Sequence, residues 1–286
     1  GRMPDSEPVI LALGRLGGGA LTHASDLDLI FLFSGEIGLE SDGRRPLGST
    51  QYYNRLAQRI IAALSVPTAA GALYEVDTRL RPNGAQGLLA VSFASFAEYQ
   101  RDQAWTWEHM ALCRARVVYG SPESRARLEA IIGDVLNTPR DTADVRAAAL
   151  KMREDIAAHK KPLGPLDVKL LPGGLVDLEF IVHTLQLTHG VGFHPDLRQA
   201  IDALVTAGLA DAALAEANDL MTRLLVALRL VAPDCSEPPP ASQALVARAC
   251  GRGSWPELLT AVDCARASVQ TAWQHLFGAS APATSA

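Results

Sequence analysis

The chain has 286 residues, 48% of them hydrophobic and 20% charged, which fits a folded protein of one or two domains. Its formal net charge of −5 provides no global basic field for nucleic acid, and no apolar run is long enough to cross a bilayer, so neither partner is expected. Cys113, Cys235, Cys250 and Cys264 are scattered without a C-x-x-C pair and read as free thiols, not as a disulfide frame or zinc site; with no signal peptide in view, the expected compartment is the cytoplasm.

The chain enters a core strand almost at once, at Val9–Leu13, as a piece cut at a domain edge would. A glycine turn, Gly14-Arg15-Leu16-Gly17-Gly18-Gly19, separates it from a second apolar strand, Leu27–Phe33. The spacing then predicts a helix over Leu47–Leu64, an alternating strand over Leu73–Leu80, a short strand over Leu88–Phe93 and helix from Phe96 to Val118. Beyond Gly120 everything reads as helix. Ser121-Pro122-Glu123 is a helix start, and further helices are expected at Ala143–Ala158, Leu175–Thr188, Leu197–Thr206, Ala210–Val231, Gln243–Ala249 and Pro256–Phe277. The fold class is α+β: a catalytic domain over residues 1–121, an all-α helical bundle over 122–278, and a disordered small-residue tail over 279–286.

The residues most telling for chemistry are Ser25-Asp26-Leu27-Asp28. Side chains alternate along a strand, so Asp26 and Asp28 face one way, roughly 7 Å apart, while Leu27 and Leu29 face a core. Paired carboxylates repel unless a cation lies between them, and hard oxygen donors of this kind suit Mg²⁺ that also grips a substrate phosphate. Asp77, within Tyr74-Glu75-Val76-Asp77-Thr78-Arg79-Leu80-Arg81-Pro82, is a third acid on a strand. With it the set becomes a two-metal site for phosphoryl or nucleotidyl transfer, and Arg79 or Arg81 are candidates to meet phosphate oxygens. Gly17 and Gly18 would offer backbone N–H groups to phosphate, with Arg15 and Ser25 nearby. Lys169 is a candidate for the triphosphate, balanced against a surface lysine.

Several residues read as structural. Trp105 and Trp107 are expected in the core, though either would stack on adenine; Glu108 and Arg116 are expected as a buried ion pair. Asp177 reads as a first-turn acid stabilised by its helix dipole, and the histidines, including His183, His189 and His194, lack metal spacing.

The glycine turn, the paired acids and the later strand acid together resemble the polymerase-β-like nucleotidyltransferase superfamily. Longer phrases narrow this: Leu13-Gly14-Arg15-Leu16-Gly17-Gly18, the stretch Leu73–Pro82, Trp105-Thr106-Trp107-Glu108-His109, and Asp167-Val168-Lys169 followed by Pro172-Gly173-Gly174-Leu175-Val176-Asp177-Leu178-Glu179-Phe180 resemble the bifunctional glutamine synthetase adenylyltransferase/adenylyl-removing enzymes. The resemblance runs from Val9 to Phe180 and more weakly beyond. Asn83-Gly84 after Pro82 departs mildly from the family's usual turn.

The acid motif occurs once, and the phrase around Trp105 is similar to the C-terminal, adenylylating half of that family. The resemblance implies a mixed sheet with flanking helices, and Asp26, Asp28 and Asp77 as metal ligands and catalytic groups. It also implies two Mg²⁺ ions, ATP as substrate, and AMP transfer to a tyrosine of glutamine synthetase with release of pyrophosphate. Glutamine and a PII signalling protein are the implied regulators. The competing expectations are the phosphorolytic, adenylyl-removing half, a uridylyltransferase of a signalling protein, or a degenerate nucleotidyltransferase module without activity.

Overall fold

The computed structural model describes residues 1–69 and 71–278. The expected tail over 279–286 lies outside them. Backbone contacts gather the chain into two units, Gly1–Thr138 and Pro139–Ala286.

The first unit is built on a mixed sheet. Strand β1 (Pro8–Ala12) runs antiparallel to β2 (Leu27–Phe33), with Pro8 opposite Phe33 and Ala12 opposite Leu29. On the other side of β2 lie two short parallel strands: β5 (Val76–Asp77) beside its start and β6 (Ala90–Ser92) beside its end. Between β2 and β5 in sequence, β3 (Pro67–Thr68) and β4 (Gly71–Ala72) form a separate small hairpin. Strand β2 is buried on both faces, as its near-continuous apolar run requires. Leu27, Leu29, Phe31 and Phe33 join Tyr53 and Ala57 of helix α2 (Ser49–Ser65) in one core cluster, where Phe33 and Tyr53 stack with ring centroids 4.7 Å apart.

Three stretches differ from the sequence expectation. The strand predicted over Leu73–Leu80 is reduced to Val76–Asp77; Leu73 is exposed, and the chain after Asp77 turns instead of pairing. The helix predicted over Phe96–Val118 is three elements: α3 (Phe93–Asp102), α4 (Thr106–Leu112) and β7 (Arg116–Tyr119). Arg116-Val117-Val118-Tyr119 is β-branched and aromatic, and pairing antiparallel with the edge of β1 gives it a backbone ladder that outweighs continued helix. The predicted strand Leu88–Phe93 is shorter because Ser92 caps α3, its hydroxyl accepting the Ser95 N–H at 3.1 Å.

Helix α5 (Pro122–Leu136) begins as read, with Ser121 as cap and Pro122 in the first turn. It packs on α3, α4 and β7, so the first compact unit continues to Thr138, beyond the boundary drawn after residue 121. Glu7, just before β1, accepts the Ser121 hydroxyl and, at 3.3 Å, the Ser121 N–H, which ties the helix start to the sheet.

Among the described residues, the elements of the second unit are all helices: α6 (Thr142–His159), α7 (Leu175–His189), α8 (Leu197–Thr206), α9 (Ala213–Val231), α10 (Pro240–Ala249) and α11 (Trp255–Phe277). One apolar cluster, including Leu178, Ile181, Ile201, Leu204, Met221, Leu224, Val262 and Trp273, runs through it.

Candidate active site

The turn after β1 is a single helical turn, α1 (Gly14–Gly17), tucked against β2. The Leu13 N–H donates to the Asp28 carbonyl at 3.0 Å, and Gly14 has φ +53°. A Cβ on Gly14 would lie 2.2 Å from Asp28 Oδ2, so only glycine lets the turn rest against that carboxylate. Gly17 and Gly18 answer a packing demand. A Cβ on Gly17 would fall 2.1 Å from the Arg114 carbonyl, and one on Gly18 would fall 2.4 Å from the Arg114 guanidinium.

The backbone N–H groups of Gly17 and Gly18 donate to Leu13 O and Gly14 O, at 2.8 and 3.1 Å. They are therefore occupied within the turn and are not directed to a phosphate, contrary to the sequence reading. Arg116 closes the other end, donating from Nε to Gly17 O at 2.9 Å and from Nη2 to Leu16 O at 2.6 Å. Ser25 is buried; its Oγ accepts the Thr22 N–H at 3.1 Å and lies 2.9 Å from Thr22 Oγ1, which shapes the loop leading into Asp26.

The acids converge. Parallel pairing sets Asp28 opposite Asp77, and the Leu27 N–H donates to Glu75 O at 2.8 Å to fix that register. Asp26, Asp28 and Asp77 each present a carboxylate oxygen, and these three oxygens lie within 4.8 Å of one another. Asp26 is exposed, while Asp28 and Asp77 are half-buried. Like charges about 5 Å apart repel by roughly 3 kcal/mol per pair at an effective dielectric near 20, so the arrangement calls for cations.

One is Arg79. Its Nε reaches both Asp77 oxygens at 3.0 and 2.9 Å, and its backbone N–H donates to Asp77 Oδ1 at 2.8 Å. The bond to Asp77, reinforced by the charges of Asp26 and Asp28, holds the guanidinium pKa above its ordinary value. A single guanidinium leaves the three acids in excess, and an all-oxygen donor set of this density fits Mg²⁺.

Arg81 does not join them. It is buried, its Nη1 donating to Thr78 O at 2.7 Å, its Nη2 to Ala85 O at 3.0 Å and its Nε to Gly87 O at 3.2 Å. It braces the loop after β5 instead of facing a ligand. Lys169 belongs to the second unit, where its backbone N–H donates to Asp167 Oδ1 at 3.0 Å.

The region of Trp105 departs from expectation. Trp105 is 69% exposed, not packed in the core. Glu108 is buried but does not pair with Arg116, whose donors are on the α1 turn. It accepts instead from the Tyr99 hydroxyl at 3.0 Å and the Trp105 N–H at 2.9 Å. Burial raises the Glu108 pKa, opposed by the two bonds.

Asp177 is a buried ion pair. Arg153 Nε contacts its Oδ1 at 2.5 Å and the Gly173 N–H donates to Oδ2 at 2.6 Å. Burial raises the Asp177 pKa, opposed chiefly by Arg153. Asp167 accepts the N–H groups of Leu163, Lys169 and Leu170, so Asp167 and Asp177, the acids of the phrase around Lys169, are taken up in holding the α6–α7 connection.

Comparison with known proteins places these features. Residues 2–131 match the model of the glutamate-ammonia ligase adenylyltransferase family. That match spans nearly the whole of the first unit. Residues 146–277, within the second unit, match the model of the GlnD PII-uridylyltransferase family. Over 90% of its length the chain is 42% identical to the bifunctional glutamine synthetase adenylyltransferase/adenylyl-removing enzyme of Rhizobium meliloti, of which the matched part is 27%. The namesake from Brucella suis is 43% identical over 88% of the chain and 27% of the relative, and that from Rhodopseudomonas palustris (strain HaA2) 48% over 69% and 20%. The chain thus spans about a quarter of the length of the curated relatives it matches.

Gly14, Arg114 and Arg116 hold the turn beside the acid cluster, a role that residue spacing did not assign to them. Gly14 serves Asp28 through a φ that sequence does not reveal, and the Arg116 bonds to the turn bridge 99 and 100 positions.

Proposed function

We propose that this chain is an adenylylating section, the C-terminal half in kind, of a glutamine synthetase adenylyltransferase. It moves AMP from MgATP to a tyrosine of glutamine synthetase and releases pyrophosphate. The observation that carries the reading is the convergence of Asp26, Asp28 and Asp77 on one point beside a glycine turn.

Asp26, Asp28 and Asp77 would hold two Mg²⁺ ions. When bound, these ions neutralise the triphosphate and acidify the acceptor hydroxyl, whose free pKa is near ~10. The tyrosine oxygen forms a bond to the α-phosphorus as the bond to pyrophosphate breaks, and Asp77 is the group to take the hydroxyl proton. Gly14 keeps Asp28 in place; Ser25 shapes the approach to Asp26. Arg79, already drawn to the cluster, is the donor for phosphate oxygens. The arrangement suits a polymerase-β-like domain followed by a helical bundle, working in the cytoplasm, with glutamine and a PII protein as regulators of the whole enzyme.

The match of residues 146–277 to the PII-uridylyltransferase model favours one second reading, uridylyl transfer to a signalling protein. Incubation with labelled ATP or UTP, each offered glutamine synthetase and a PII protein, separates the two. AMP on glutamine synthetase is expected; UMP on the PII protein and no AMP on glutamine synthetase would replace the proposal with the second reading.

A further inference from the structure

The second unit contains a cleft of about 620 Å³ that no step of nucleotidyl transfer uses. Its walls come from α6, α7, the turn between α8 and α9, and α11. That volume suits a small organic ligand. Ile181, Leu185, Leu214 and Leu276 supply an apolar lining. Arg146, on α6, is half-buried and brings a guanidinium to it. A guanidinium set among apolar side chains pairs best with a planar anionic acceptor.

The other polar groups define the acceptor's class. Ser268 and Thr271 donate their hydroxyls back to the carbonyls of Cys264 and Ala267, at 3.1 and 3.0 Å, and offer lone pairs instead of hydrogens. Asp211 accepts the Ala213 N–H at 2.7 Å and repels a second negative charge. His275 is exposed at the cleft. One guanidinium beside an apolar lining matches one planar anionic head on an apolar body, whereas a phosphate dianion would want more donors.

We propose that this cleft binds a small organic carboxylate with an apolar body, its head seated on Arg146. The site lies wholly in the second unit, so its test is independent of magnesium and ATP.

The full chain is titrated with 4-phenylbutanoate and with its uncharged match, 4-phenylbutanamide, while the methyl resonances of Ile181, Leu185, Leu214 and Leu276 are followed. Saturable shifts are expected for the acid, with the amide weaker by about tenfold or more, as loss of a charge-assisted pair requires. Arg146→Gln should erase the difference between the two probes, and Arg146→Lys should keep part of it. Equal binding of acid and amide, unchanged acid affinity in Arg146→Gln, or no shift at these methyls would overturn the proposal. The acid–amide comparison decides on the unmodified chain even if Arg146→Gln does not fold.

Discussion

Gly14 carries a demand that its neighbours do not. Its φ of +53° and the 2.2 Å gap between a built Cβ and Asp28 Oδ2 mean that any side chain must push the carboxylate aside. Gly14→Ala is therefore expected to weaken Mg²⁺ binding by about tenfold or more, with a stability loss of only about 1–2 kcal/mol from the left-handed backbone. Calorimetric titration and thermal unfolding of the same variant measure both. Asp177 makes the opposite case: it is fully buried, outside the acid cluster, and paired with a buried Arg153. Asp177→Ala strands that charge and should cost about 3–5 kcal/mol in denaturant unfolding. From sequence, the grouping of Asp26, Asp28 and Asp77 was legible, because strand alternation sets the first two on one face and residue type draws in the third. Arg81 was not, because an arginine two residues beyond Arg79 looks equivalent until the loop curls around its guanidinium.

Among elements, β2 was legible to the residue: seven apolar-rich positions with acids at its start. The helices from α5 onward were legible within a few positions, since caps and 3.6-residue periodicity are local signals. β5 and β7 were misjudged because their extent is set by partners distant in sequence: β5 pairs only where β2 begins, and β7 is a strand because it completes a ladder along the edge of β1.

The tie between β1 and α5 yields a pH prediction. The Ser121 hydroxyl, then Ser124, holds the Glu7 pKa below its ordinary 4.5. A lowered folded-state pKa means the unfolded chain binds the proton first as pH falls. The increment from Glu7 is thus present above pH 4.5 and lost as pH drops through the lowered folded value. In Glu7→Gln the acid-side decline of first-unit stability should be shallower, read from amide exchange of α5 at several pH values; an unchanged slope would remove Glu7 from the account.

For the molecule as a whole, the division at Thr138 and Pro139 coincides with the two family matches, 2–131 and 146–277. All three cluster acids belong to the first unit. Residues 1–138 expressed alone are expected to unfold cooperatively and to bind Mg²⁺ with the affinity of the full chain, as titration calorimetry can establish. Length and composition fitted one or two domains, and the element pattern drew the border after residue 121, because α5 shares the helical pattern of the second unit yet packs within the first.

The most direct test of the central claim traces label from [α-³²P]ATP into glutamine synthetase, comparing the unmodified chain with Asp28→Asn. Labelling of a tyrosine is predicted for the first, with a fall of about a hundredfold or more for the second at unchanged thermal stability. Equal labelling by both proteins would contradict a metal-holding role for the acid cluster.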